Sequence, residues 1–181
     1  MNRLSIFVFA LGCTSLLGCG SESEKETGTN STLVGDDVGL SPQAGDWQMT
    51  TAAWVNDDCN FGAALAPPSS VTFADITDTT FSPTMYDSKG MQIGETRVEC
   101  TYGGDNAYNC TGFGQTLVFT DNGVLDMIGT DTITMNSETS VTGAAILTAD
   151  CTGTDCGMMA ATTNSGSFPC TSGLDWTAAA P

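Results

Sequence analysis

Eight cysteines and no histidine set the chemistry open to this 181-residue chain. Cysteine can form disulfides, act as a nucleophile, bind metal or carry lipid, whereas the missing histidine removes the commonest general base and the commonest metal ligand together. Ser-His-Asp and Cys-His arrangements are thereby excluded. Serine–lysine chemistry would rest on Lys25, in a polar stretch, or Lys89, in a predicted turn. The 21 acidic residues leave room for a glycosidase-type carboxylate pair, but they fall mainly in turns and on polar strand faces, where solvation accounts for them. Asp57-Asp58-Cys59-Asn60 and the stretch from Asp150 to Asp155 hold oxygen ligands without the spacing of a calcium loop, and no Cys-x-x-Cys pair offers a zinc site. Gly103-Gly104 ends a strand without opening a helix, so it forms no phosphate cradle. The sequence reads as non-catalytic, with no cofactor and no metal.

The cysteines have other uses. Met1-Asn2-Arg3 is a short basic leader, Leu4 to Leu17 is almost wholly apolar, and small Gly18 precedes Cys19, the three parts of an export signal. The apolar run, about fourteen residues, falls short of the roughly twenty that a transmembrane helix needs. Leu16-Leu17-Gly18-Cys19 resembles the lipobox of bacterial lipoproteins. The resemblance implies cleavage before Cys19, attachment of fatty acyl chains such as palmitate to its thiol, and acylation of the new amino terminus. Gly20, where an Asp would signal retention at the inner membrane, implies the outer membrane. Counting points the same way: once Cys13 leaves with the signal and Cys19 takes lipid, six cysteines remain. Cys59, Cys100, Cys110, Cys151, Cys156 and Cys170 can then pair completely in an oxidising compartment. Short spacing favours Cys100–Cys110 and Cys151–Cys156 among the fifteen pairings that six cysteines allow, and elimination leaves Cys59–Cys170.

Removal of residues 1–18 takes away Arg3 alone among the charges and leaves three basic residues against 21 acidic ones, a net charge of −18. Phosphate repulsion excludes nucleic acid as a partner, and an anionic bilayer would repel the same body, so membrane attachment falls to the Cys19 lipid. Residues 19–44 carry few apolar side chains among Ser, Thr, Gly and Asp and read as a disordered tether. About twenty-five flexible residues reach roughly 25–30 Å, enough to hold a small domain clear of the headgroups.

The domain is expected over 45–181. Threonine is abundant, 28 residues in the chain, and short apolar segments alternate between turn residues, which favours strands. Strands are predicted at 47–55, 70–77, 81–86, 95–102, 107–112, 116–120, 124–128, 132–135, 140–149 and 157–163. Ser88-Lys89-Gly90, Gly103-Gly104-Asp105, Asp121-Asn122-Gly123 and Gly129-Thr130-Asp131 are the predicted turns. No helix of crossover length separates the strands, so they should form an antiparallel meander. Closure removes exposed edges; a small up-and-down β-barrel is expected, with a two-sheet β-sandwich as the alternative. Gly45-Asp46-Trp47 resembles the Gly-x-Trp that opens the first strand of lipocalin-like barrels, which implies a tryptophan plugging the closed end. The chain departs from that family in having no arginine after Arg97.

Two functions follow from this reading. The first is a lipid-anchored envelope module that meets a protein partner through its acidic surface. The second is a barrel that holds a small apolar ligand, with Trp54, Phe73, Met85, Phe119, Met127 and Met135 as candidate lining residues. If Cys19 carries the anchor, Cys19→Ser should move the protein from the membrane fraction to the soluble fraction; a variant that stays membrane-bound overturns the assignment.

Overall fold

The computed structural model describes residues 39–94 and 97–181. Cys19, the expected signal and most of the expected tether, residues 1–38, lie outside the described residues. In chain order the elements are β1 (Gly45–Val55), α1 (Phe61–Ala64), β2 (Ser70–Ala74), β3 (Thr80–Tyr86), β4 (Gln92–Ile93), β5 (Glu99–Gly104), β6 (Ala107–Thr120), β7 (Gly123–Ser137), β8 (Ser140–Thr152), α2 (Cys156–Thr163) and β9 (Cys170–Ala179).

Each strand pairs antiparallel with the next, except that two-residue β4 adds to β3 beside β5. β9 then pairs with β1 from Gln48↔Ala179 to Val55↔Gly173, which closes an eight-strand barrel with β4 as a ninth, outlying strand. Closure decides against the sandwich. Inward positions follow the period of two that a pleated strand imposes: Leu174, Trp176 and Ala178 on β9, and Val141, Gly143, Leu147 and Ala149 on β8, are buried between half-buried or exposed neighbours.

One end of the barrel is packed solid by aromatic rings. Trp47 meets Phe73 edge-on at 5.2 Å, Phe73 meets Phe81 at 5.3 Å, and Phe81 meets Tyr108 at 4.6 Å. A strap of residues 39–43 covers this end. The Leu40 amide donates to Asn106 Oδ1 at 3.0 Å, the Tyr108 hydroxyl donates to the Leu40 carbonyl at 3.0 Å, and Trp47 Nε1 donates to the Gln43 carbonyl at 3.0 Å. Residues 39–43 therefore belong to the barrel and not to the tether.

Several sequence expectations are corrected. The predicted strand 157–163 is helix α2: Met158, Met159, Ala160 and Ala161 are good helix formers, and they outweigh the β-preference of the threonines that follow. The strand predicted to reach Thr77 ends at Ala74, because Asp75 takes a left-handed φ of 52° and the Thr77 hydroxyl accepts from the amides of Thr79 and Thr80 to form a turn. The strand expected from residue 95 begins at Glu99. Segments 107–112 and 116–120 are one strand, and so are 124–128 and 132–135. In β6 an extra residue between Cys110 and Phe113 shifts the inward set from Tyr108 and Cys110 to Phe113, Gln115 and Leu117. Such a parity change reads in sequence as a break between two strands. Gly129-Thr130-Asp131 is no turn; it lies inside β7, paired on both sides. Strand β9 was not predicted at all.

The disulfides are Cys59–Cys170, Cys100–Cys110 and Cys151–Cys156, the pairing that spacing and elimination favour. Cys100 and Cys110 face each other across β5 and β6. Cys59–Cys170 joins residues 111 apart and ties the exit of β1 to the start of β9, the two strands whose pairing closes the barrel. In the chain-entropy relation a loop of that length stabilises by about 5 kcal/mol and a five-residue loop by about 2 kcal/mol. Replacing Cys59 and Cys170 by alanine should therefore cost about twice what replacing Cys151 and Cys156 does in denaturant unfolding; equal losses would sink this ranking.

Candidate functional site

The barrel walls differ in height. β6, β7 and β8 run for 14, 15 and 13 residues, whereas β2, β3 and β5 run for 5, 7 and 6. β3 pairs with β5 only at Thr80 and Phe81 and turns to β4 at Met85 and Tyr86. The short side cannot cover what the tall side presents. Above the aromatic plug this leaves a cavity of about 710 Å³, within the size range of small-molecule sites. Met127, Gly129 and Asp131 of β7, Ala145 and Leu147 of β8, and Leu174 of β9 form its back wall; Phe113 and Gln115 of β6 flank it, and Trp54 and Phe61 stand on the opposite side. Two of these positions are small. A Cβ on Gly129 would come within 3.2 Å of the Phe113 ring and 3.4 Å of Leu147, so the missing side chain keeps both the space and the ring position.

Asp131 is the one buried acid in the described core, 9% exposed. Its Oδ2 accepts from Trp176 Nε1 at 3.0 Å, and its Oδ1 has no hydrogen-bond partner among the described residues. The indole reaches it from two strands away. Trp176 lies opposite Gly143, and a Cβ on Gly143 would fall inside the indole ring, so the ring crosses β8 only because that position is glycine. Burial pushes the Asp131 carboxyl up from 3.8 to about 6, against the Trp176 N–H and the backbone N–H groups of Ala144 and Thr132, which lie near the carboxyl without giving Oδ1 a hydrogen bond of full geometry and favour the charged form. A desolvated, half-satisfied carboxylate is expensive. Asp131 lines the cavity, with its Oδ1 screened from solvent by the atoms packed around it.

The mouth carries both cations of the described residues. Lys89, in the turn between β3 and β4, and Arg97 line the cavity with Asp87. Arg97 is held by Asp75 at 2.6 Å, with both side chains more than half exposed, so the pair itself contributes little stability. Asp87 Oδ1 accepts from the amides of Lys89 and Met91, each at 2.8 Å, and shapes the turn. Asp57 is likewise engaged at the base of α1. Burial opposes its charge, but the Ser172 hydroxyl and the amides of Gly62 and Phe61 outweigh that and hold its carboxyl below the usual value. Among the described residues, no three Cys, Asp or Glu side chains come together as a metal site.

Of the expected lining residues, Trp54, Met85 and Met127 border the cavity. Phe73 and Met135 are buried in the packed core, 1% and 2% exposed. Phe119 sits at the far hairpin, its ring over Gly123. Asp131, Trp176, Gly143 and Phe113 were not anticipated. A signal existed for Asp131: Leu125, Met127, Gly129, Asp131, Ile133 and Met135 share one parity, which puts an acid in the middle of an inward-facing series.

Because the Asp131 carboxyl keeps its proton to about pH 6 when folded but loses it near 3.8 when unfolded, the folded state binds more protons between those values. Its contribution to stability therefore falls as pH rises through that window and stays reduced above it. Asp131→Asn keeps an acceptor for Trp176 and should stabilise the protein by about 3 kcal/mol at pH 8, at about 1.4 kcal/mol for each pH unit of the window, with the gain gone near pH 4. Thermal melts of both proteins at the two pH values check this; an equal effect at both removes the carboxylate as the cause. No family model matches the chain, and no curated protein or solved structure is significantly similar to it.

Proposed function

We propose that this chain is a lipid-anchored protein of the bacterial cell envelope, attached at Cys19 to the outer membrane, whose barrel binds a small apolar molecule without transforming it. The cavity of about 710 Å³ carries this reading. Interiors are normally packed to crystal density with few voids larger than a water molecule, and here apolar side chains from β1, β3, β6, β7, β8 and β9 surround unfilled space. Polar groups are few and placed, as in binding sites that fix a ligand's orientation. The non-catalytic part of the reading is supported by Asp87, the second carboxylate on the cavity, which is occupied by two backbone amides of its own turn. The test uses the Cys19→Ser chain, so that no attached acyl group competes for the cavity. Titrated with a neutral naphthyl fluorophore, it should show saturable binding at one site. Ala145→Phe, which fills the cavity without touching the aromatic plug, should weaken that binding at least about tenfold, as expected when a pocket that buries most of its ligand is blocked. Uptake unaffected by the filled variant, or no uptake at all, overturns the reading.

A second reading, a docking surface for a protein partner, is favoured by the outer face of the tall wall. Val118, Ile128 and Ile146 are 72%, 66% and 59% exposed, and the two isoleucines border one shallow groove. Apolar side chains grouped on a surface mark interaction sites.

A further inference from the structure

The cavity's polarity is ordered, with the buried acid Asp131 in its back wall and both cations of the described residues at its mouth. We propose that the ligand is an apolar molecule bearing a protonated amine, and that the ammonium end enters first and seats against the Asp131 carboxylate. This rests on the reading of the cavity as a ligand site and names the chemistry that site selects.

The buried Asp131 carboxylate has lost hydration and gained one full hydrogen bond, from Trp176, with the backbone N–H groups of Ala144 and Thr132 as its other polar neighbours. A neutral donor beside the carboxylate offers a hydrogen bond alone, but a cation also returns the electrostatic stabilisation that burial removed, and charge-assisted hydrogen bonds are about twice as strong as neutral ones. Trp176 fixes the carboxylate plane, and Gly143 lets the indole do so, so the acceptor is oriented before the ligand arrives. The protein's own side chains supply no cation there. On the flanking strands, the residues paired with Asp131 are Cys110, held in a disulfide, and Ala145; the ionisable groups lining the same cavity are Asp87, Lys89 and Arg97, in or near the β3–β4 turn and its exit. A ligand carboxylate would meet repulsion at Asp131, and an amine left at the mouth would meet Lys89. The strongly acidic body raises the local concentration of cations around the barrel, which favours the same class.

The test compares octylamine, octanol and octanoate, each displacing the neutral naphthyl fluorophore from the Cys19→Ser chain. At pH 8, octylamine should bind at least about tenfold tighter than octanol or octanoate, the margin expected of a charge-assisted over a neutral hydrogen bond in a desolvated site. At pH 5 its affinity should fall about tenfold, since a carboxyl that titrates near pH 6 is then mostly protonated, while octanol changes little. Asp131→Asn should remove both the amine preference and its pH dependence. The pH comparison uses the unaltered barrel and so does not depend on the variant folding. Equal binding of amine and alcohol, or preference for octanoate, with the fluorophore still bound, overturns the amine assignment and leaves the cavity reading standing. Failure of the fluorophore and all three alkyl ligands overturns both.

Discussion

Pairing of the last strand with the first is the constraint on which everything else depends. β9 contributes Leu174 and Trp176 to the interior and hydrogen-bonds along most of β1. Without it the barrel has two long open edges, β1 and β8, and the back wall of the cavity loses Leu174. The chain reinforces this contact covalently, because Cys59–Cys170 joins the segment leaving β1 to the residue that opens β9. Ser172 adds a polar tie, donating to Asp57 Oδ1 at 2.5 Å and accepting from the Cys59 amide at 3.3 Å. The seam of the barrel is thus held by backbone pairing, a disulfide that restricts the unfolded chain and a hydrogen-bonded carboxylate at the foot of α1.

With the seam closed, the unequal walls determine where space remains. Five to seven residues of β2, β3 and β5 span roughly 17–24 Å at the usual rise per residue, and thirteen to fifteen residues of β6, β7 and β8 span more than roughly 40 Å. The aromatic plug of Trp47, Phe73, Phe81 and Tyr108 fills the part where all the walls exist. Higher up, one side is furnished by the end of β3, by β4, by the turn around Lys89 and by the loop that carries Leu65 and Ala66. Stability and cavity thus occupy different levels of the same barrel, so the void does not interrupt the main core.

Much of this was legible in the sequence where the local signal and the fold agree. The meander, the disulfide pairing and most inner positions follow from alternation, turn residues and cysteine spacing. What was hidden had physical causes. Bulges at Thr50 and Thr111–Gly112 invert the inward parity within β1 and β6, and in β6 the change makes one strand read as two. β9 alternates, but with Ser172, Gly173 and Ala178 among its residues it carries little apolar weight outside Leu174 and Trp176. Glycine misled at 129, and the role of Gly143 beneath an indole carried no sequence signal. Neither has a positive φ; each is needed for space, one beside Phe113 and Leu147 and the other beneath the Trp176 indole. A turn-based reading of Gly129-Thr130-Asp131 therefore concealed the acid that matters most.

Asp131 also explains why a barrel with three disulfides carries so costly a group. A carboxylate raised to about 6 by burial subtracts stability throughout the neutral range, and an apolar residue of similar size would pack there without that cost. Strain and unsatisfied polarity that persist in a fold are held by the structure around them and concentrate where binding occurs. Here the holding elements are specific. Trp176 comes from the strand that closes the barrel, its path crosses a glycine on β8, and Cys110, paired with Asp131 on the neighbouring strand, is locked to Cys100. The stabilisation invested in closing this small domain is what allows an incompletely satisfied carboxylate to stand inside it.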